Sequence, residues 1–432
     1  MTKDLRRVYR IDLTEHFPPE LRVQLGEVEL VYEKVFFDLP GENGRQTRSG
    51  LRYGENPDQE AALYRLVNGH LALAKLKFVG PEDGKLISAL GSAEAPIFGS
   101  RKHPSKTNLT DVDSALAVLK WLAPAPAATV IVKHNNPSGA ALGATPAEAF
   151  HRAYEADRVA AFGGAAVFNQ PLDRTAAGLI GQRFLEVVAA PDFEEGVLEL
   201  LLKKPDLRLF RIDGLARLAA WRPLRFLDIK SLIDGGLILQ HSPINRILTP
   251  EDFLPAQAGQ GEQALESARR PTEAEYRDLI FGWAVEQGVT SNSVLFVKDG
   301  ATVGLGCGQQ DRVGVVEIAA FKARRNYAES LAFARCALSL GELELAAASG
   351  GRAHDDLLEI RHQVEVDRGN LAGSSMVSDA FFPFRDAVDR AIEQKVSAIA
   401  HPGGALRDRD SIEACNQAGV AMVFTGQRAF KH

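Results

Sequence analysis

Val130-Ile131-Val132-Lys133-His134-Asn135-Asn136-Pro137-Ser138-Gly139-Ala140-Ala141 is the stretch on which the reading of this chain turns. A β-branched apolar run stops abruptly at Lys133-His134, gives way to Asn, Pro, Ser and Gly, and resumes in small residues. That pattern reads as a buried strand delivering a cation and an imidazole to its carboxyl end, with the amino end of the next helix close by. In open α/β sheets, ligands bind beyond strand ends of this kind. Taken alone, the same residues read equally well as a loop carrying two polar side chains. Neighbours on a regular strand face opposite ways, so Lys133 and His134 reach one site only if the strand ends there, and the Asn-Pro turn supplies that end.

The elements around it alternate. Upstream, Asn108-Leu-Thr-Asp opens a helix whose apolar residues recur at helical spacing through Trp121, with Asp111 or a neighbour as cap. Downstream, Thr145-Pro146-Ala-Glu reads as a capping box with proline at the first helical position. Asp157 to Phe168 reads as a strand interrupted by Gly163-Gly164, then a helix around Ala176–Arg183, then a strand from Leu185. Helix–strand alternation to about residue 240 predicts a mixed or parallel α/β sheet.

Residues 243–271 are rich in Pro and Gln without a clean period and read as a linker. The second half restarts at Thr272-Glu-Ala-Glu, followed by a hairpin turning at Lys298-Asp299-Gly300 and a long helix from Val315 to Ala337. Gly304-Leu-Gly306-Cys-Gly308 lacks the GxGxxG spacing of a dinucleotide loop. Residues 340–372 have charged helical or loop character. Residues 1–50 read as an added arm, so the expected division is 1–50, 51–242, 243–271 and 272–432.

The bulk properties fit two or three packed domains: 432 residues, 45% apolar and 25% charged. A net charge of −6 argues against wholesale nucleic-acid binding while leaving room for a local basic pocket. Cys307, Cys336 and Cys415 are far apart and form no CxxC, so neither a zinc ribbon nor a disulfide scaffold is expected. No apolar stretch reaches membrane-spanning length and no signal-peptide core follows Met1, so no membrane association and a cytoplasmic setting are expected.

Seven segments together resemble one family. They are Leu51-Arg-Tyr-Gly-Glu-Asn-Pro, Lys133-His-Asn-Asn-Pro-Ser-Gly, Ala161-Phe-Gly-Gly, Ser291-Asn-Ser, Gly306-Cys-Gly-Gln-Gln-Asp-Arg, Phe381-Phe-Pro-Phe-Arg-Asp and Val423-Phe-Thr-Gly-Gln-Arg-Ala-Phe-Lys-His. In this order, from residue 51 onward, they resemble the formyltransferase domain of the bifunctional purine-biosynthesis enzyme. The resemblance implies two cytidine-deaminase-like αβα subdomains without the deaminase zinc, and no HxE or CxxC ligand pattern is present. It also implies a homodimer with sites at the interface. With only some 50 residues before Arg52, the reading is of a stand-alone transformylase, with ring closure left to a separate IMP cyclohydrolase.

The implied reaction moves the formyl group of 10-formyltetrahydrofolate to the 5-amino group of aminoimidazole carboxamide ribonucleotide (AICAR), with no metal. That amine is a weak nucleophile because its lone pair delocalises into the ring and carboxamide. Catalysis therefore calls for a base, a cation at the developing oxyanion, and tight orientation. His134 matches the base and Lys133 the cation and proton donor to the leaving folate nitrogen. Asn292 and Asp386 match positions that orient the formyl group, carboxamide or folate. Arg52, Tyr53 and Arg428 match phosphate donors, and Asn108 and Glu186 match nucleotide contacts. Arg312 and Phe381 match residues holding the nucleotide or lining the folate site, and Phe430 is placed to stack on a planar ring. Lys106 is added here only from the basic run beginning at Arg101. The chain departs from the family pattern at Asp58, where His is usual, and at Ser138 and Ala429. The competing readings are a nucleotide-binding regulator on the same fold, or an ATP- and formate-dependent ligase. The first has no need of a base, and the second lacks a Walker A sequence here.

Overall fold

The computed structural model describes residues 16–40, 46–56, 59–73, 75–92, 95–99, 103–123, 126–259, 261 and 264–432. Asp58 lies outside them. The protein is mixed α/β and gathers into two compact units, Met1–Leu116 with Gly163–Ile244 and Ala117–Phe162 with Asn245–His432.

In the first unit the strands Ala165–Phe168, Val187–Ala190 and Arg208–Arg211 run parallel, with Ile97–Gly99 antiparallel beside the last. The first two strands are buried at every position, which is why their sequences are unbroken apolar runs rather than alternations. Asp173 starts the intervening helix Arg174–Gly181 by accepting a bond from the Ala176 amide at 2.6 Å. A separate antiparallel sheet joins Glu20–Leu25, Val28–Lys34 and Tyr64–Asn68 over Leu30, Leu71 and Phe78. Residues 20–34 are thus paired strands. The hairpin Leu227–Ser231 with Leu237–His241 leaves Ile229, Ile233, Leu237 and Ile238 exposed.

In the second unit Ser375–Ser378, Ala398–His401 and Ala421–Phe424 run parallel, with Leu254–Pro255 antiparallel to the last. The sheet continues antiparallel from Ser375–Ser378 through Val294–Lys298, Ala301–Gly306 and Pro137–Gly143 to Ala127–Val132. Phe296, Met376, Phe382, Ile399 and Cys415 form its core with Val315 and Ala319 of the helix Arg312–Cys336. Each fully buried side chain of this size stabilises the fold by about 1.5–3 kcal/mol. Gly304 and Gly306 have a packing role. A Cβ on Gly304 would stand 2.3 Å from the Ala319 carbonyl oxygen, and one on Gly306 2.4 Å from that of Val315. The glycine run lets the long helix lie against the strand. The helices Leu340–Ala347 and Arg352–Val366 fill the charged 340–372 region and pack through Leu343, Leu357 and Ile360.

Two local expectations change. The helix bearing Asn108 is Lys106–Leu122. Its start is tied by Ser105, whose Oγ accepts from the Asn108 amide at 3.3 Å while Asn108 Oδ1 accepts from the Ser105 amide at 3.1 Å. Asp111 lies inside the helix. Between Asp157 and Phe168 the chain first makes a short helix, Arg158–Ala161, because Asp157 Oδ1 captures the Ala160 amide at 2.9 Å. Gly163, at φ 75°, then turns the chain, and the strand begins only at Ala165.

Candidate active site

The strand Ala127–Val132 ends one residue before Lys133, so Lys133 and His134 sit beyond the pleat. The turn closes with the Lys133 amide donating to the Asn136 carbonyl at 2.9 Å, and Asn135 adopts φ 55°. Lys133 Nζ donates to the Phe162 carbonyl and lies 5.9 Å from the centre of the Phe162 ring. His134 is exposed. Asn136 Oδ1 accepts from the Thr290 amide at 2.8 Å, which joins this turn to the loop carrying Asn292. The Lys133–His134 and Ser291–Asn292 peptide bonds are both cis.

Asn292 is held by Arg312. One guanidinium nitrogen donates to Asn292 Oδ1 at 2.6 Å, and the other to Ser378 Oγ at 3.2 Å and to the Asp379 carboxylate. Asp379 is fully buried and also accepts from Ser291 Oγ. This network floors an open cleft of about 470 Å³ lined by Asn292, Arg312, Phe381, Asp386, Arg428 and Phe430, among others. Asp386 is the first residue of the helix Asp386–Glu393, at its positive end, where its Oδ1 accepts from the Ala387 amide at 2.8 Å. Arg428 lies over the Phe430 ring at 4.9 Å, and Phe430 is exposed rather than packed. Phe384 adds a third exposed ring to the lining.

Beneath the cleft floor are two buried titratable groups. Burial, and then the neighbouring Asp379 carboxylate, push the Glu286 carboxyl well above the usual range, and Ser293 Oγ donates to its Oε1 at 2.9 Å. His401 packs between Phe382 and Phe424 at 5.1 and 4.8 Å and accepts from the Gly403 amide through Nδ1 at 3.1 Å. Burial, reinforced by Arg312, pushes it down to about 3, so it is neutral.

A second polar group lies in the first unit. Asn108 Nδ2 donates to Glu186 Oε2 at 3.0 Å. Arg52 lies over the Tyr53 ring at 5.0 Å, and its amide donates to the Pro104 carbonyl at 3.1 Å. Lys106 Nζ is paired with Glu55 at 2.5 Å. The arginine that sequence reading missed is Arg208. It is buried, its proton affinity is lowered by burial, Glu186 opposes that shift, and Arg52 adds to it.

Six of the twelve expected residues therefore share one cleft, Lys133 and His134 are joined to it through Asn136, and four form the group in the first unit. Asp379, Glu286 and Arg208 were missed. The available signal was a charge beside an apolar run, as in Met376-Val-Ser-Asp379, because a charge there needs a buried partner. Among the described residues no three His, Cys, Asp or Glu side chains are placed to hold a metal ion.

The protein is thus of a mixed α/β class with an imidazole beyond a strand end and an aromatic-edged cleft that holds a carboxylate and a forked guanidinium at helix starts. Comparison with known proteins narrows the class. The family profile described as AICARFT/IMPCHase bienzyme matches residues 34–322, and the chain belongs to that family. Among its relatives, the "Bifunctional purine biosynthesis protein PurH" of Caldicellulosiruptor saccharolyticus is 34% identical over 387 residues, 90% of this chain and 60% of the relative. The protein of the same name from Cereibacter sphaeroides is 36% identical, over 88% of this chain and 59% of the relative. The chain thus spans about 60% of the length of the curated relatives it matches.

Proposed function

We propose that this protein transfers the formyl group of 10-formyltetrahydrofolate to the 5-amino group of AICAR. The observation that carries the reading is the tie, through Asn136 and Thr290, between the Lys133-His134 turn and the Asn292 loop at the edge of the cleft. His134 takes the proton of the attacking amine. Lys133 stabilises the oxyanion on the formyl carbon and protonates the departing folate nitrogen, once its ammonium leaves the Phe162 carbonyl. Asn292, held by Arg312, hydrogen-bonds the formyl or carboxamide oxygen, and Asp386 orients the folate or the carboxamide. Phe381 and Phe430 supply faces for planar rings. In the first unit Arg52 and Tyr53 suit a phosphate and Asn108 and Glu186 the nucleotide's ribose, and in the second unit Arg428 is a further phosphate donor.

The assignment extends to fold and assembly. The paired arrangement of three parallel strands with one antiparallel strand beside the third, seen in each unit, supports two cytidine-deaminase-like subdomains. We assign these to residues 51–242 and 272–432, joined by 243–271, with 1–50 as an added segment, except that Ala117–Phe162 gathers with the second unit. The exposed Ile233, Leu237 and Ile238 favour a homodimer, in which sites are completed across the interface. The setting is cytoplasmic. No helix is long and apolar enough to cross a membrane among the described residues.

The test is a spectrophotometric assay of tetrahydrofolate release from 10-formyltetrahydrofolate with and without AICAR. AICAR-dependent release is expected, with formylated AICAR as the product. Folded protein that binds AICAR yet releases no tetrahydrofolate would refute the reading and favour a regulator. His134→Ala is expected to lower kcat by about 100-fold or more while nucleotide affinity changes little. Comparable losses in both would remove His134 as the base.

A further inference from the structure

Lys431 is tied at three points to the loops that carry the proposed base and the cleft asparagine. Its backbone pairs with Ser291: the Ser291 amide donates to the Lys431 carbonyl at 2.9 Å, and the Lys431 amide to Ser291 Oγ at 3.4 Å. Its side-chain ammonium donates to the Asn135 carbonyl at 2.8 Å and to the Gly288 carbonyl at 2.8 Å. Asn135 directly follows His134, and Gly288 opens the segment that leads through Thr290 to Asn292. One cation therefore bridges two carbonyl oxygens on the two chain segments that must be in register for transfer. A carbonyl pair facing an ammonium is a charge-assisted arrangement, stronger than neutral bonds and less tolerant of a shift.

We propose that Lys431 is a positioning residue of the transfer reaction: its ammonium latches the turn bearing His134 to the loop bearing Asn292, and so fixes the distance between the base and the formyl-orienting amide. The inference rests on the formyl-transfer reading above. Lys431 touches no reacting atom in this scheme. Its effect is felt in kcat, because the proposed nucleotide contacts do not involve Lys431 and remain while the near-attack geometry is lost. Misplacing a reacting group by about 1 Å costs on the order of 100-fold in rate.

Lys431→Met keeps the apolar stem of the side chain, one atom shorter, and removes the cation. The latch predicts a fall in kcat of about 10–100-fold with KM for AICAR within about threefold. It also predicts partial recovery of kcat on addition of ammonium or methylammonium ion, which can enter between the two carbonyl oxygens. His134→Ala, which leaves the latch in place, should show no such recovery. Hydrogen exchange supplies a readout independent of turnover: amides of residues 133–138 and 288–292 should both exchange faster in Lys431→Met than in the parent protein. A kcat unchanged within twofold overturns the proposal, as does a loss with neither amine rescue nor faster exchange in both segments. If the parent protein itself releases no tetrahydrofolate, the formyl-transfer reading fails. The exchange data then decide separately whether the latch exists.

Discussion

Replacing Arg312 with alanine is the sharpest probe of the cleft floor. Asp379 has no exposed surface, and the Arg312 side chain is 11% exposed, so the substitution leaves a carboxylate buried beside the Glu286 carboxyl with its cation gone. Breaking a buried ion pair from one side costs about 3–5 kcal/mol. At about 2–4 °C per kcal/mol for a unit of this size, the melting temperature should fall by roughly 6–20 °C. Arg312→Lys keeps the charge but loses the guanidinium arm that holds Asn292 Oδ1 at 2.6 Å. The expected stability loss is then about 1.5–3 kcal/mol, the worth of a charged hydrogen bond, with a large fall in turnover because the Asn292 amide is released. Calorimetric melting of both variants, with Asp379→Asn and the Arg312→Ala/Asp379→Asn double variant, completes the cycle. The double variant should recover at least about 1 kcal/mol relative to the sum of the single losses. A drop below about 2 °C for Arg312→Ala, or strict additivity, would show that the pair is not a buried, coupled unit.

Three further outcomes follow from buried groups. His401 is held near 3 in the folded state against an ordinary 6.5, so the unfolded chain binds more protons between those values. Stability should fall as pH drops below 6.5, by up to about 5 kcal/mol at pH 3, with a shallower slope in His401→Asn, as checked by urea unfolding across pH. Glu286 shifts the other way. Its raised value makes it a stabilising group below about 4.5 that becomes a liability as pH rises. Glu286→Gln should therefore raise the melting temperature more at pH 8 than at pH 5. An equal shift at both would mean the carboxyl is not perturbed. Gly304→Ala would place a methyl 2.3 Å from the Ala319 carbonyl oxygen, in backbone that cannot swing aside. A loss of about 1–3 kcal/mol in thermal unfolding is expected, whereas Gly341→Ala, with open space around it, should be near neutral.

Much of the architecture was legible without coordinates, because local chemistry and local structure coincide there. The end of the strand at Val132, the Thr145 and Thr272 caps, the hairpin at Lys298-Asp299-Gly300 and the alternation that makes the protein mixed α/β all depend on residues close in sequence. Where two local signals compete, the tertiary structure selects between them. Asp157 reads as part of a strand although its carboxylate starts a helical turn, and the helix reads as capped by Asp111 or a neighbour although Ser105 ties its start. Lys106 looked free because its partner, Glu55, lies 51 positions away.

The partnerships that give the cleft its character were beyond sequence reasoning for the same reason. Arg312 was identified, but not that it divides its two arms between Asn292 and Asp379, 20 and 67 positions away. Glu286 reads as one more helical acid until burial beside Asp379 pushes its carboxyl well above the usual range. Lys431 reads as a basic tail residue until its ammonium is found between the Asn135 and Gly288 carbonyls, 296 and 143 positions away. Residue types and spacing determined which side chains sit at strand ends and what chemistry each can perform. Only the tertiary structure decided which of them are desolvated, which are paired, and what holds the base and the orienting amide in register, since those energies depend on distance and dielectric rather than on order along the chain.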